Sequence, residues 1–66
     1  MRYQVQTEES DCSLLNYTPA QATKAQALRI ARLAAKSEIL KAQGVRNVVV
    51  YDNRAESFVF VRLVKA

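Results

Sequence analysis

The chain has 66 residues, half of them hydrophobic, with a formal net charge of +4, one cysteine and no histidine. A lone cysteine cannot close an intramolecular disulfide, and without histidine it cannot supply the roughly four ligands of a structural zinc site. We therefore expect one domain over residues 1–66 that holds no metal and gains stability by oligomerisation, because so short a chain buries only about 60% of its unfolded surface.

One or two strands are predicted at the start of the chain. The stretch "RYQVQT" alternates Tyr3, Val5 and Thr7 with polar residues, as a half-buried strand does. The polar stretch "EESDCS" that follows is typical of a turn. The next stretch, "SLLNYT" at residues 13–18, is either a second short strand or part of a loop. The element order is ββαββ in the first case and βαββ in the second.

A single helix is predicted from about residue 19 to residue 43. The sequence "TPAQ" at residues 18–21 has the form of a capping box, with Pro19 at the first helical position. The residues that follow are mostly Ala, Leu, Lys, Arg and Gln, which are good helix formers. Gly44, the one glycine, stands where a helix C-terminus commonly adopts a positive φ.

Two further strands are predicted after Gly44, over residues 45–52 and 57–65, joined by a polar loop built on Asp52 and Asn53. Simple alternation divides the last strand into two apolar faces, one with Val59, Val61 and Leu63 and the other with Phe58, Phe60, Arg62 and Val64. Such a strand is covered on both sides or meets a partner. Together the elements predict a two-layer α+β domain, with the helix packed on a small, mainly antiparallel sheet.

The predicted helix is apolar around much of its circumference. An alanine-rich arc would allow close approach to a sheet, while Ile30, Leu33 and Leu40 lie on a separate arc. A helix that is apolar on more than one side is usually buried on more than one side, which predicts a homodimer. The candidate interface residues are Ile30, Leu33, Leu40, Phe58 and Phe60. The alternative is a wide core face with a few exposed leucines.

The basic residues of the helix suggest a second kind of surface. Arg29, Arg32 and Lys36 form one stripe, with Lys24 nearby, and cations on one face can neutralise phosphates in a salt-dependent manner. The same stripe is also what the solvated side of a packing helix looks like. A membrane-surface helix is disfavoured, because no Trp or Phe lies on it.

The sequence lacks the common catalytic motifs. Without histidine there is no usual general base, so Cys12 has no evident activating partner, and one glycine cannot build a phosphate-binding loop. We expect no enzymatic activity and no cofactor. The single cysteine, the lack of a signal-peptide core and the lack of an apolar run of about 20 residues predict a cytoplasmic protein.

The function predicted from these features is a small interaction module. Apolar surface in excess on the helix and the last strand favours a homodimer that binds a protein partner as a regulator or inhibitor. The alternative is a nucleic-acid-binding dimer that uses the basic stripe.

Overall fold

Four antiparallel strands form one sheet, and two short helices cover one of its faces. The structure, a computed structural model, describes residues 1–64. Its elements in chain order are β1 (Tyr3–Glu8), β2 (Leu14–Asn16), α1 (Lys24–Ala34), α2 (Glu38–Ala42), β3 (Asn47–Asp52) and β4 (Ser57–Leu63). The strand order is β2-β1-β3-β4, and α1 contacts β1, β3 and β4. The predicted two-layer α+β class is confirmed, with β2 present.

The predicted helix over residues 19–43 begins later than expected. The backbone N–H groups of Tyr3 and Gln21 each donate to the other residue's carbonyl, over 3.0 and 2.6 Å, and this pairing holds Gln21 extended. The helix instead begins after Thr23, whose side chain accepts from the Gln26 N–H at 3.2 Å. The predicted capping box at residues 18–21 is therefore wrong.

The helix is also interrupted at Ser37. Its backbone is extended, and its hydroxyl accepts from the Leu40 N–H at 3.4 Å, so it caps a second helix, α2. At the end of α2, Gly44 has a φ of 82°, as predicted. Its N–H donates to the Lys41 carbonyl and the Val45 N–H donates to the Leu40 carbonyl, both at 3.1 Å, which is the Schellman pattern that ends many helices.

The core lies between α1 and the sheet. The helix contributes small side chains, and Ala27 and Ala31 are completely buried, which confirms the predicted alanine face. The facing strand residues are Val5, Val48 and Val50, also completely buried. Because alanine lets the helix backbone approach the sheet closely, branched strand residues fill the space without large helix side chains.

The β3–β4 hairpin contains an irregularity that the sequence reading missed. Tyr51 pairs with Phe58 while its neighbour Val50 pairs with Phe60, so β4 carries one extra residue at Val59. Phe58 and Phe60 therefore project from opposite faces, and their predicted grouping on one face is wrong. The strand ends at Leu63, and Val64 is buried. Lys65, the last residue of the predicted strand, lies outside the described residues.

Candidate functional site

The face of the sheet turned away from the helices carries several exposed apolar side chains, and no element of residues 1–64 covers it. Two residues that pair across antiparallel strands point to the same face of the sheet, and successive residues along a strand point to opposite faces. Val50 is buried under the helices, so its partners also lie on the helix side. The opposite side, here called the open sheet face, carries on β3 and β4 the residues Val49, Tyr51, Phe58, Val61 and Leu63. Phe58, Val61 and Leu63 are 48%, 62% and 68% exposed.

The rest of the open sheet face is mostly polar, although Leu14 of β2, which pairs with Glu8, is apolar and 40% exposed. Gln4, Gln6 and Glu8 of β1 alternate with the buried residues of that strand. The Glu8 carboxylate accepts a hydrogen bond from the Asn47 side-chain amide at 2.6 Å. Among the residues of the four strands only Arg62 is basic, and it pairs with the buried Val48 and so lies on the helix side. Depletion of charge with exposed aromatic and aliphatic side chains is typical of the centre of a protein–protein interface.

The predicted interface residues are scattered over both layers. Phe58 lies on the open sheet face, whereas Phe60 and Ile30 are half-buried and pack against the core. Leu33 lies on the outer side of α1 and is 66% exposed. Leu40 is only 6% exposed and belongs to the core, because the break at Ser37 turns α2 so that Leu40 faces the sheet. The structure thus removes Leu40 from the candidates for a surface contact.

The predicted basic residues are all exposed. Lys24, Arg29 and Arg32 belong to α1. Lys36 lies beyond Ala35, the C-cap of α1, so the regular helical stripe ends at Arg32. Within residues 1–64 none of these four side chains forms an ion pair.

The ion pair between Arg2 and Asp52 has a structural role. The Arg2 guanidinium donates two hydrogen bonds of 2.8 Å to the two carboxylate oxygens of Asp52. Asp52 also accepts from the backbone N–H groups of Arg54 and Ala55 at 2.9 and 3.2 Å. The guanidinium, with these amides, lowers the Asp52 pKa from its usual 3.8 to about 2. All of these hydrogen bonds to Asp52 come from the chain itself, so the ion pair connects the N-terminal segment to the β3–β4 loop.

Cys12 lies in the exposed turn between β1 and β2, with a φ of 71°. The Arg46 guanidinium donates to its sulfur at 3.3 Å. Across residues 1–64 no three side chains of the types His, Cys, Asp and Glu gather in a way that could hold a metal ion. The exposed thiol therefore has a cation beside it.

A cleft of about 320 Å³ opens between β2 and α2, where α1 does not reach. Leu15 and Tyr17 line one wall and Ile39 lines the other, and all three are exposed. Glu9 also lines it and is half-buried. This β2–α2 cleft was not predicted from the sequence, and of the two leucines in the short stretch "SLLNYT" only Leu15 lines it.

No protein-family model, no curated protein and no solved structure matches the chain. No helix within residues 1–64 is long and apolar enough to cross a membrane. The surfaces themselves are therefore the basis for a functional proposal.

Proposed function

We propose that the chain is a non-enzymatic interaction module that forms a homodimer and binds a protein partner as a regulator or inhibitor. The observation that carries this proposal is the open sheet face, on which Phe58, Val61 and Leu63 stand exposed and no strand residue is basic. The dimer invokes no metal and no cofactor, and the exposed thiol of Cys12 suits the reducing cytoplasm.

A second copy is the occupant that best fits this face. The net charge of the chain is +4, and two such chains repel at long range. None of the strand residues on the open sheet face is basic, however, and Arg29 and Arg32 lie on the helix side. Packing two open faces together therefore keeps the basic helices apart and removes the apolar side chains of both copies from water.

The size of the face is also consistent with a small dimer. Four strands about 4.8 Å apart, with residues rising about 3.4 Å each, project a face on the order of 400 Å². Side chains that project from the face add to this area, so two copies together bury on the order of 1,000 Å² of accessible surface. This total is about the smallest that a specific protein–protein interface buries. A dimer in which the β4 edges of two copies pair would leave the side chains of the open sheet face exposed. The bulge at Val59 also twists that edge, which disfavours such strand pairing.

Light scattering on two matched variants tests the dimer. The wild type should approach twice its chain mass of 7.4 kDa at about 100 µM, above the micromolar dissociation constants of weak interfaces. Val61→Lys should give the monomer mass, while Leu33→Lys, an equally exposed residue on the helix side, should stay dimeric. A monomeric wild type contradicts the proposal. A monomeric Leu33→Lys variant would also contradict it, because the dimer interface would then lie on α1.

The protein partner has its own surface in this proposal. Once the open faces are paired, Leu33 and Ile39 remain 66% and 70% exposed on the helix side. Apolar side chains there stay available to a partner of different sequence. Capture of a partner from lysate that survives nuclease treatment, and that Ile39→Lys abolishes, supports this role. Loss of every captured protein upon nuclease treatment contradicts it.

A nucleic-acid-binding dimer is the second candidate, because Arg29 and Arg32 are exposed on α1 and unpaired within residues 1–64. Arg29→Glu, Arg32→Glu and Lys36→Glu together should then abolish a low-salt mobility shift. The matched control reverses Lys41, Arg54 and Arg62, which changes the net charge equally. If both triple variants lose binding alike, or neither does, the basic stripe is not the binding site.

A further inference from the structure

The β2–α2 cleft combines an apolar wall with a carboxylate that lacks a partner. Glu9 directly follows β1 and lines the cleft together with residues of β2 and α2. Its Oε2 is buried, and no hydrogen-bond donor within residues 1–64 reaches it. A carboxylate oxygen that is removed from water without a donor is unfavourable, and it gains more from an incoming cation than a solvated one does.

The walls of the cleft suit an aliphatic chain. Leu15 and Ile39 are both exposed and line opposite sides. Tyr17 lines the cleft as well, and an aromatic face attracts a cation that passes within about 6 Å of the ring centre. Among the described residues that line the cleft, Glu9 alone carries a charge, so the site is locally negative in a chain whose net charge is +4.

We propose that the β2–α2 cleft binds an aliphatic side chain that ends in a cation, namely a lysine or arginine of the protein partner. The methylene groups of that side chain pack between Leu15 and Ile39, and its charged end donates to the Glu9 carboxylate. The inference rests on the proposed function for the kind of molecule that carries the cation. The preference of the cleft for an aliphatic cation follows from Glu9, Leu15 and Ile39 alone.

The experiment uses n-butylammonium, which reproduces the lysine side chain, with 1-butanol and pentanoate as matched neutral and anionic probes. Each probe is titrated into the full-length, isotope-labelled chain at constant ionic strength, and amide chemical shifts are followed by NMR. Butylammonium should give saturable shifts at Leu15, Tyr17 and Ile39. Butanol should bind several-fold more weakly, and pentanoate should not bind. Equal binding of the three probes, or no saturable shift with butylammonium, overturns the proposal.

Two variants separate the charge from the apolar wall. Glu9→Gln should weaken butylammonium about tenfold and leave butanol unchanged, whereas Glu56→Gln, in the exposed β3–β4 loop, should change neither. Ile39→Ser should weaken butylammonium and butanol together. If Glu9→Gln binds butylammonium as wild type does, the carboxylate is not the receptor and the proposal fails. These readouts do not depend on the mass of the particle, so a monomeric chain whose cleft binds the cation contradicts the dimer alone.

Discussion

Tyr51 and Phe58 face each other across β3 and β4, with ring centroids 5.2 Å apart and ring planes inclined at 69°. An edge-to-face pair of this kind stabilises a fold by about 0.5–1.5 kcal/mol beyond the area it buries. The pair exists because the extra residue at Val59 turns Phe58 away from Phe60 and onto the open sheet face. The bulge thus adds the Phe58 ring to the open sheet face, which is the proposed dimer interface.

The helix cap provides the first prediction. Thr23→Ala removes the hydroxyl that accepts from the Gln26 N–H and should lower the free energy of unfolding by about 1 kcal/mol. Thr18→Val is the control, because the Thr18 hydroxyl is buried without a hydrogen-bond partner within residues 1–64, and its removal should be neutral or slightly stabilising. Urea unfolding at one protein concentration measures both. If Thr18→Val lowered the free energy of unfolding more than Thr23→Ala does, Thr18 and not Thr23 would be the N-cap of the helix.

The close approach of α1 to the sheet provides the second prediction. Ala31 is completely buried against the strands, so Ala31→Leu should overpack the core and cost about 1–3 kcal/mol of unfolding free energy. Ala25→Leu makes the same change on an exposed position of the same helix and should stay within about 0.5 kcal/mol of wild type. Thermal unfolding of the two variants compares them. Equal stability would mean that α1 does not pack through its alanine face.

The Arg2–Asp52 pair provides the third prediction, which concerns acid stability. Hydrogen bonding to Arg2 lowers the folded-state pKa of Asp52 to about 2, below its usual 3.8, so the folded state favours the carboxylate. The stabilisation is present above about pH 4 and disappears as the pH falls toward 2. Asp52→Asn should therefore be much less stable than wild type at pH 6, and the difference should shrink at pH 2.5.

Asp11→Asn is the comparison for this acid effect. Hydrogen bonds from the Ser13 hydroxyl and N–H also lower the pKa of Asp11, but it lies in an exposed turn without a cation beside it. Its substitution should produce a smaller difference at pH 6 than Asp52→Asn does. A difference for Asp52→Asn that does not change with pH would show that the ion pair does not link stability to protonation.

Much of the fold follows from local sequence signals. The alternation of β1, the polar loop at Asp52 and the glycine at position 44 each predict the element that the structure contains. The alanines at positions 27 and 31 likewise predict a helix face that approaches a sheet. In each case the signal lies within a few residues of the feature it predicts, so no knowledge of tertiary contacts is needed.

The features that could not be predicted depend on contacts between distant residues. Gln21 is a good helix former, yet its backbone pairs with Tyr3, and this tertiary pairing overrides local propensity. Ser37 caps α2 although serine also occurs inside helices. The bulge at Val59 has no glycine or proline to mark it. The β2–α2 cleft is lined by residues from 7–17 and from 37–43, which are distant in the sequence and meet only through packing.

Isotope-filtered NMR on a mixture of labelled and unlabelled chains can detect the contact between two open sheet faces directly. At about 1 mM chain, well above a micromolar dissociation constant, we expect intermolecular contacts between the Phe58 ring of one copy and the methyl groups of Val61 and Leu63 of the other. Intermolecular contacts at Leu33 instead, or none at all at this concentration, would contradict it.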